Sequence, residues 1–170
     1  LVMAAVVLDR RGAAALTRAG LTDSKAFGAG AKAHAIRQSL AAIVRERAIW
    51  STVRVVDAAT LDARVMRNEL NVLEREVARN MIDAAPPCQR IIADGARMFA
   101  PMVGDFPHLE PRDRAESFHA SVAAASVLAK TMRDELYATF CAQFAAEFGA
   151  IAGGGYVNDA TRDFLRAYAT

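Results

Sequence analysis

The stretch SVAAASVLAKTMRDELY, residues 121–137, predicts a long and largely buried helix. Its apolar residues recur at helical spacing and define one face of that helix: Val122, Ala125, Ala129, Met132 and Leu136. Ser126, Lys130 and Asp134 lie four residues apart and form a second, polar line. The small alanines between these lines favour close packing against a neighbouring element.

Asp134 is the candidate functional residue of this helix. A carboxylate on a close-packed helix is costly unless it is paired or binds a metal. An ion pair with Lys130, one turn earlier, is the ordinary structural interpretation. The helix by itself leaves both interpretations open.

Composition predicts one globular domain, residues 1–170, with a net charge of +2 that permits a nucleic-acid partner without arguing for one. No apolar run has the length of a membrane span, and no signal-peptide pattern is present. Cys88 and Cys141 lie far apart and outside metal-ligand spacing, which favours free thiols in a reducing compartment. We therefore expect a cytoplasmic protein with no membrane partner.

Apolar runs alternate with amphipathic segments, which predicts an α/β fold with a mixed β-sheet flanked by helices. Strands are expected at residues 2–8, 49–56, 90–94 and 114–118. Longer helices are expected at residues 32–47, 68–84 and 121–137, the first with Ile36, Leu40, Ile43 and Val44 on its apolar face. Asp57 is expected to cap a short helix, and Asn158 or Asp159 the last one.

Asp94 ends a predicted buried strand, a common position for functional residues in α/β folds. An aspartate before a glycine can also simply cap a turn. Taken together, Asp94 and Asp134 could hold a divalent cation, because Mg²⁺ prefers carboxylate oxygens. The three histidines are scattered and offer no zinc site, and GGGY at residues 153–156 lacks the Gly-Lys-Ser/Thr of a phosphate-binding P-loop.

Six motifs in a fixed order resemble ribonuclease HII, the type 2 ribonuclease H family, in the manner of its archaeal and eukaryotic branch. They are VMAAVVLD (residues 2–9), GLTDSK (20–25), NELNVLEREV (68–77), IIADGA (91–96), AAASVLAKTMRDELY (123–137) and GGGYVND (153–159). The resemblance implies a ribonuclease H-like mixed sheet flanked by helices, with a C-terminal helical part. It covers nearly the whole chain.

The resemblance places the family's catalytic aspartates on Asp94 and Asp134, as ligands of Mg²⁺ or Mn²⁺. Two such ions, about 3.5–4 Å apart, would activate a water and stabilise the leaving oxygen during phosphodiester hydrolysis. The family's tyrosine falls on Tyr156, which would pack against the sugar at an RNA–DNA junction, where the 2′-hydroxyl distinguishes RNA. The implied substrate is an RNA–DNA hybrid or a DNA duplex containing ribonucleotides, cut by a monomer that serves DNA replication and repair.

Further polar residues are expected at the substrate backbone. Lys25 and Lys130 are candidate phosphate contacts, although Lys130 could instead only steady Asp134. Thr22, Ser24 and Ser126 are candidate hydrogen-bond donors to phosphate. Each of these hydroxyls could equally serve as a local cap or a core hydrogen bond.

The sequence also departs from the family pattern. The family's Asp-Glu-Ala-Gly-Arg-Gly, with two of its four metal-binding carboxylates, would precede Leu1, so we expect a chain truncated at its N-terminus and of little activity as it stands. The family's Lys-Gly-Asp before the long helix is Arg114-Ala115-Glu116, and the proline of the tyrosine loop is Val157. The lysine-rich continuation after Asp-Ser-Lys is replaced by Ala26-Phe27-Gly28.

Three functional hypotheses follow. The first is an endoribonuclease specific for RNA–DNA hybrids. The second is a non-catalytic nucleic-acid-binding relative that lacks two metal-binding acids. The third is another metal-dependent nuclease of the ribonuclease H-like fold, such as a DNA nuclease.

Overall fold

The computed structural model describes residues 1–22, 24–28, 30–151, 154, 156 and 158–169, and only the backbone of Ser24, Lys25 and Ala31. Strands are β1 (Val2–Val7), β2 (Trp50–Val55), β3 (Ile91–Asp94) and β4 (Leu109–Arg112). Helices are α1 (Arg10–Arg18), α2 (Ala31–Arg47), α3 (Ala58–Val65), α4 (Leu70–Ala84), α5 (Ala96–Phe99), α6 (Ala120–Phe148) and α7 (Asp159–Tyr168). Short 3₁₀ helices span Ser24–Phe27, Ala100–Met102 and Ala115–Ser117. In the part of the chain that is described, no helix has the length and apolarity to cross a membrane.

The chain separates into two compact units, Leu1–Thr131 and Met132–Thr170, with the boundary inside α6. The first unit contains all the strands listed above, and the second contains the end of α6 and the whole of α7. This arrangement of two small two-stranded sheets, flanking helices and a C-terminal helical part confirms the predicted α/β class.

The strands of the first unit form one antiparallel and one parallel ladder. β1 pairs with β2 antiparallel, from Val2 opposite Val55 to Val7 opposite Trp50. β3 pairs with β4 in parallel, and its last residue, Asp94, lies opposite Arg112. The strand predicted at residues 114–118 is wrong, because the strand lies at Leu109–Arg112 and a 3₁₀ helix begins at Ala115. The cause is the left-handed backbone of Arg114, with φ of 56°, which no strand can accommodate.

Two of the helix starts follow the predicted capping chemistry. The Asp57 side chain accepts a hydrogen bond from the Thr60 amide, and Asn158 accepts one from the Thr161 amide. By contrast, α4 begins at Leu70 and not at residue 68, since Asn68 has a left-handed φ of 57°.

The larger core cluster of the first unit joins α1, α2 and α6. Its buried members are Leu16, Leu40, Ala41, Val44, Ala124, Val127 and Leu128. Ile36 was expected on the buried face of α2 but is 37% exposed. Arg37 is buried in its place and donates a hydrogen bond to the Gly28 carbonyl oxygen at 3.1 Å, which explains why a charged residue lies on this face.

The buried face of α6 is also not the predicted one. Its buried residues are Ala123, Ala124, Val127, Leu128 and Thr131, whereas Leu136 is 42% exposed. The small apolar residues of this helix lie on several of its faces, so their spacing alone does not predict which face is buried. The buried face is the one that packs against the side chains of α1 and α2. The prediction of a largely buried helix therefore holds only as far as Thr131.

A second cluster lies under the β3–β4 pair. Its buried members are Ala78, Phe99, Met102 and Leu109, with Ile91 and Ala93 packed against it. The inward residues of β3 thus anchor the strand. This anchoring fixes the position of its last residue, Asp94.

The second unit is held together by aromatic side chains of α6 and α7. Phe144 lies at the centre, with ring centroids 4.9 Å from Phe140, 5.9 Å from Phe164 and 5.6 Å from Tyr168. Phe148 also contacts Phe164 at 5.5 Å, in an edge-to-face arrangement. Because Phe140, Phe144 and Phe148 are four residues apart, they form one stripe on α6 that faces α7.

Candidate active site

Asp94 is held at the end of β3 by the backbone that follows β4. Its Oδ1 accepts a hydrogen bond from the Ala115 amide at 3.0 Å. The next residue, Gly95, has φ of 119° and donates its amide to the Arg112 carbonyl at 2.8 Å. Asp113 accepts a hydrogen bond from the Ala96 amide at 2.8 Å. A well-anchored carboxylate therefore ends the strand, as the sequence predicts, and its side chain is exposed.

Glu116 is a second carboxylate beside this strand end. It lies in the 3₁₀ helix Ala115–Ser117, which contacts β3, and its neighbour Ala115 donates the hydrogen bond to Asp94. Glu116 is only 8% exposed, which is unusual for a glutamate that has no role. Glu116 is not among the site residues predicted from the sequence. It could have been identified from the sequence, because Arg114-Ala115-Glu116 occupies the place of the family's Lys-Gly-Asp and Glu116 matches its acid.

Asp134 lies in the second unit, on the half-buried part of α6. Its side chain is 18% exposed, and its Oδ1 lies 3.7 Å from Nη1 of Arg133. Arg133 is a cationic neighbour that the spacing argument, centred on Lys130, did not include. A metal-ligand role for Asp134 stays a prediction.

Arg133 also contacts the tyrosine loop. Its Nη2 donates a hydrogen bond to the Gly154 carbonyl at 2.9 Å, and its guanidinium lies 4.2 Å from the centroid of the Tyr156 ring. Tyr156 itself is 53% exposed, so its ring is available to a ligand. Within the second unit, Arg133 thus brings Asp134 and Tyr156 together.

The remaining predicted residues are only partly described. Thr22 is exposed in the loop after α1, while Ser24 and Lys25 begin the following 3₁₀ helix. Ser126 and Lys130 are half-buried on α6, in the first unit. Val157 and most of the GGG segment lie outside the described residues. Phosphate contacts for these side chains stay predictions.

The donor set suits a hard divalent cation. Asp94 and Glu116 present carboxylate oxygens from neighbouring elements, and Mg²⁺ in phosphoryl-transfer sites is held by one or two carboxylates together with substrate phosphates. Among the described residues there is no group of three or more histidine, cysteine, aspartate or glutamate side chains placed to hold a metal. The candidate ligands in the first unit are therefore Asp94 and, on the neighbouring 3₁₀ helix, Glu116.

The fold is similar to that of solved type 2 ribonuclease H structures. It is similar to a chain in the structure of the PCNA:RNase HII complex from Archaeoglobus fulgidus, with a TM-score of 0.78 and 22% identity over 99% of this chain and 78% of that one. It is also similar to ribonuclease H2 from Pyrococcus horikoshii OT3, with a TM-score of 0.75 and 21% identity over 98% of this chain and 78% of that one.

Sequence comparison identifies the family of the chain. The family model for ribonuclease HII matches residues 1–170. The ribonuclease HII of Chlorobaculum tepidum is 36% identical over 91% of this chain and 70% of its own length, and that of Pyrobaculum arsenaticum is 32% identical over 98% and 80%. The chain belongs to the ribonuclease HII family.

Proposed function

We propose that this protein is an endoribonuclease that hydrolyses the RNA strand of RNA–DNA hybrids, or cuts at ribonucleotides embedded in DNA. The family match over residues 1–170 is the observation that carries this proposal. The anchored carboxylate at the end of β3, with Glu116 beside it, gives this chain a place where the chemistry can occur.

Asp94 and Glu116 would hold Mg²⁺ or Mn²⁺. Such an ion supplies an activated water and stabilises the charge on the leaving oxygen. The Ala115 amide holds one oxygen of Asp94 at 3.0 Å and so limits rotation of that carboxylate. A carboxylate oriented in this way contributes a ligand atom without a reorganisation cost.

Asp134 and Tyr156 act together in this proposal. Asp134 is assigned to metal or water by its match to the family helix, and Tyr156 to the sugar at the RNA–DNA junction. The contact of Arg133 with both residues supports a joint role, since it ties the loop of Tyr156 to the helix turn that carries Asp134. Lys25, Lys130, Thr22, Ser24 and Ser126 would contact the phosphate backbone.

We further propose that the protein works as a monomer in the cytoplasm, in DNA replication and repair. The free thiols of Cys88 and Cys141 are consistent with a reducing compartment.

A cleavage assay tests the function. The full-length protein is incubated with a DNA duplex that carries one ribonucleotide, and separately with an all-DNA duplex of the same sequence, each with Mg²⁺ or Mn²⁺. We expect cleavage of the first duplex only. Cleavage of both would favour a DNA nuclease, and binding without cleavage by folded protein would favour the non-catalytic relative.

A further inference from the structure

A cleft of about 620 Å³ lies where the start of α1 approaches the end of α2. The charged residues that line it are Asp9, Arg10, Arg11, Arg18, Glu46 and Arg47. Asp94 and Glu116 are not among its lining residues, so the cleft is distinct from the candidate active site. The function proposed above does not use it.

The cleft carries a surplus of positive charge. Four arginines stand against two acids, which leaves two unmatched positive charges. Both acids are already engaged: Asp9 Oδ1 accepts the Gly12 amide, and Glu46 lies 3.1 Å from the Arg47 guanidinium. Arg10, Arg11 and Arg18 are exposed, so their guanidinium groups are accessible to a ligand.

The positive charge of the cleft is spread along one face of α1. Arg11, Ala14, Ala15 and Arg18 line the cleft and share one helix face, with small alanines between the two arginines. A rise of about 1.5 Å per residue separates Arg11 from Arg18 by roughly 10 Å along the axis. That distance corresponds to about three base-pair steps along the axis of a duplex, so the two arginines can reach different phosphates.

Arg10 and Arg11 also lie in the first turn of α1, which contains no acidic residue. The partial positive charge at the start of a helix disfavours cations there. The Asp9 carboxylate at the N-cap offsets part of this unfavourable interaction. An anionic partner at the cleft would offset the remainder.

We propose that this arginine cleft binds the phosphate backbone of duplex DNA flanking the cleavage point. The partner is the substrate duplex, so the inference rests on the proposed function. The contact is electrostatic and independent of sequence, because arginines recognise phosphates and not base edges here. It lengthens the footprint of the protein on its substrate.

The test compares two double variants in the full-length protein. Arg11→Gln with Arg18→Gln removes the cleft charge. Arg79→Gln with Arg90→Gln removes the same net charge from exposed arginines outside the cleft, which are already paired with Asp105 and Glu110. Binding of a fluorescently labelled all-DNA duplex is measured by anisotropy, without divalent metal, over about 50–200 mM KCl.

We expect the cleft variant to bind roughly tenfold more weakly, with the slope of log Kd against log [KCl] reduced by about 2. The control should match the parent protein in both quantities. Unchanged affinity and slope in the cleft variant would overturn the proposal, and so would an equal loss in both variants. Because the readout is binding to uncut DNA, it is independent of whether the protein cleaves ribonucleotides. Melting temperatures of both variants confirm that each is folded.

Discussion

At the scale of single residues, we propose that the carboxylates carry the chemistry. Asp94→Asn and Glu116→Gln should each lower cleavage by roughly a hundredfold or more, because an amide replaces a negatively charged ligand oxygen. Asp134→Asn should also lower cleavage greatly, because its match to the family helix assigns this carboxylate to metal or water. Rates of the full-length variants across a Mg²⁺ titration are the measurement. An unchanged rate for any one variant would remove that residue from the site.

Gly12 is a residue whose role is purely steric. A methyl group at this position would lie 2.8 Å from the Arg47 carbonyl oxygen, so the close approach of α1 to α2 requires glycine. Gly12→Ala should therefore lower the free energy of unfolding by about 1–2 kcal/mol, even though alanine favours helix. Gly104→Ala is the control, because nothing lies within 4 Å of its added methyl group. Urea unfolding of both variants measures the difference; equal stabilities would contradict this account of the helix contact.

At the scale of elements, the β3–β4 pair carries an ion network. Side-chain hydrogen bonds from Arg90 and then Arg112 lower the pKa of Glu110 from its ordinary 4.5 to about 2. Since the folded-state pKa is the lower one, Glu110 stabilises the fold above pH 4.5, and this contribution is lost as the pH falls towards 2. Glu110→Gln should thus be less stable than the parent at neutral pH, with the difference shrinking below pH 4.5.

Glu46→Gln is the control for this pH dependence. Its carboxylate is 65% exposed and is paired only with the adjacent Arg47 among the ion pairs described. The melting temperatures of both variants and of the parent are measured from neutral to acidic pH. A difference between Glu110→Gln and the parent that persists unchanged to low pH would show that the ion network is not its source.

The pairing of α6 with α7 depends on the aromatic stripe. Phe144 contacts four aromatic rings, whereas Phe140 contacts two and is 44% exposed. Phe144→Leu should destabilise α7 by about 1–2 kcal/mol, and Phe140→Leu by clearly less, because aromatic pairs contribute roughly 0.5–1.5 kcal/mol beyond their buried area. Amide exchange of α7 is the measurement. Equal exchange in both variants would argue against Phe144 as the centre of the cluster.

Elements with strong local signals could be predicted from the sequence, and those decided by packing could not. The caps at Asp57 and Asn158 follow from side-chain chemistry within three residues. The buried face of α6 does not, since an alanine-rich helix offers several similar faces and the neighbouring helices choose between them. The strand at Leu109–Arg112 was missed because Pro111 lies within it, and its pairing with β3 depends on residues far away in sequence.

The candidate site likewise contains residues that local sequence predicts and residues that only folding brings together. Asp94 could be found because a strand and a glycine flank it in sequence. Glu116 could not be assigned by local pattern, since its place beside Asp94 arises only when the chain after β4 folds back on β3. The link between Arg133 and Tyr156 spans more than twenty residues and is likewise a product of folding.

At the scale of the whole molecule, two observations support the same function. The chain belongs to the ribonuclease HII family, and candidate metal-binding carboxylates lie at the end of β3. That family consists of endoribonucleases that act on RNA–DNA hybrids, and we propose Asp94 as the centre of that activity. The three functional hypotheses differ in only two respects, which are whether cleavage occurs and whether it needs a 2′-hydroxyl.

The most direct test is the cleavage rate of full-length protein on a DNA duplex with one ribonucleotide, measured for the parent, Asp94→Asn and Asp113→Asn. Asp113 is the matched control, because it lies beside the same strand end and the asparagine keeps an oxygen for the Ala96 amide. We predict cutting at the ribonucleotide by the parent and by Asp113→Asn, and loss of roughly a hundredfold or more in Asp94→Asn. Parent-like cutting by folded Asp94→Asn, or equal cutting of an all-DNA duplex by the parent, would contradict the account.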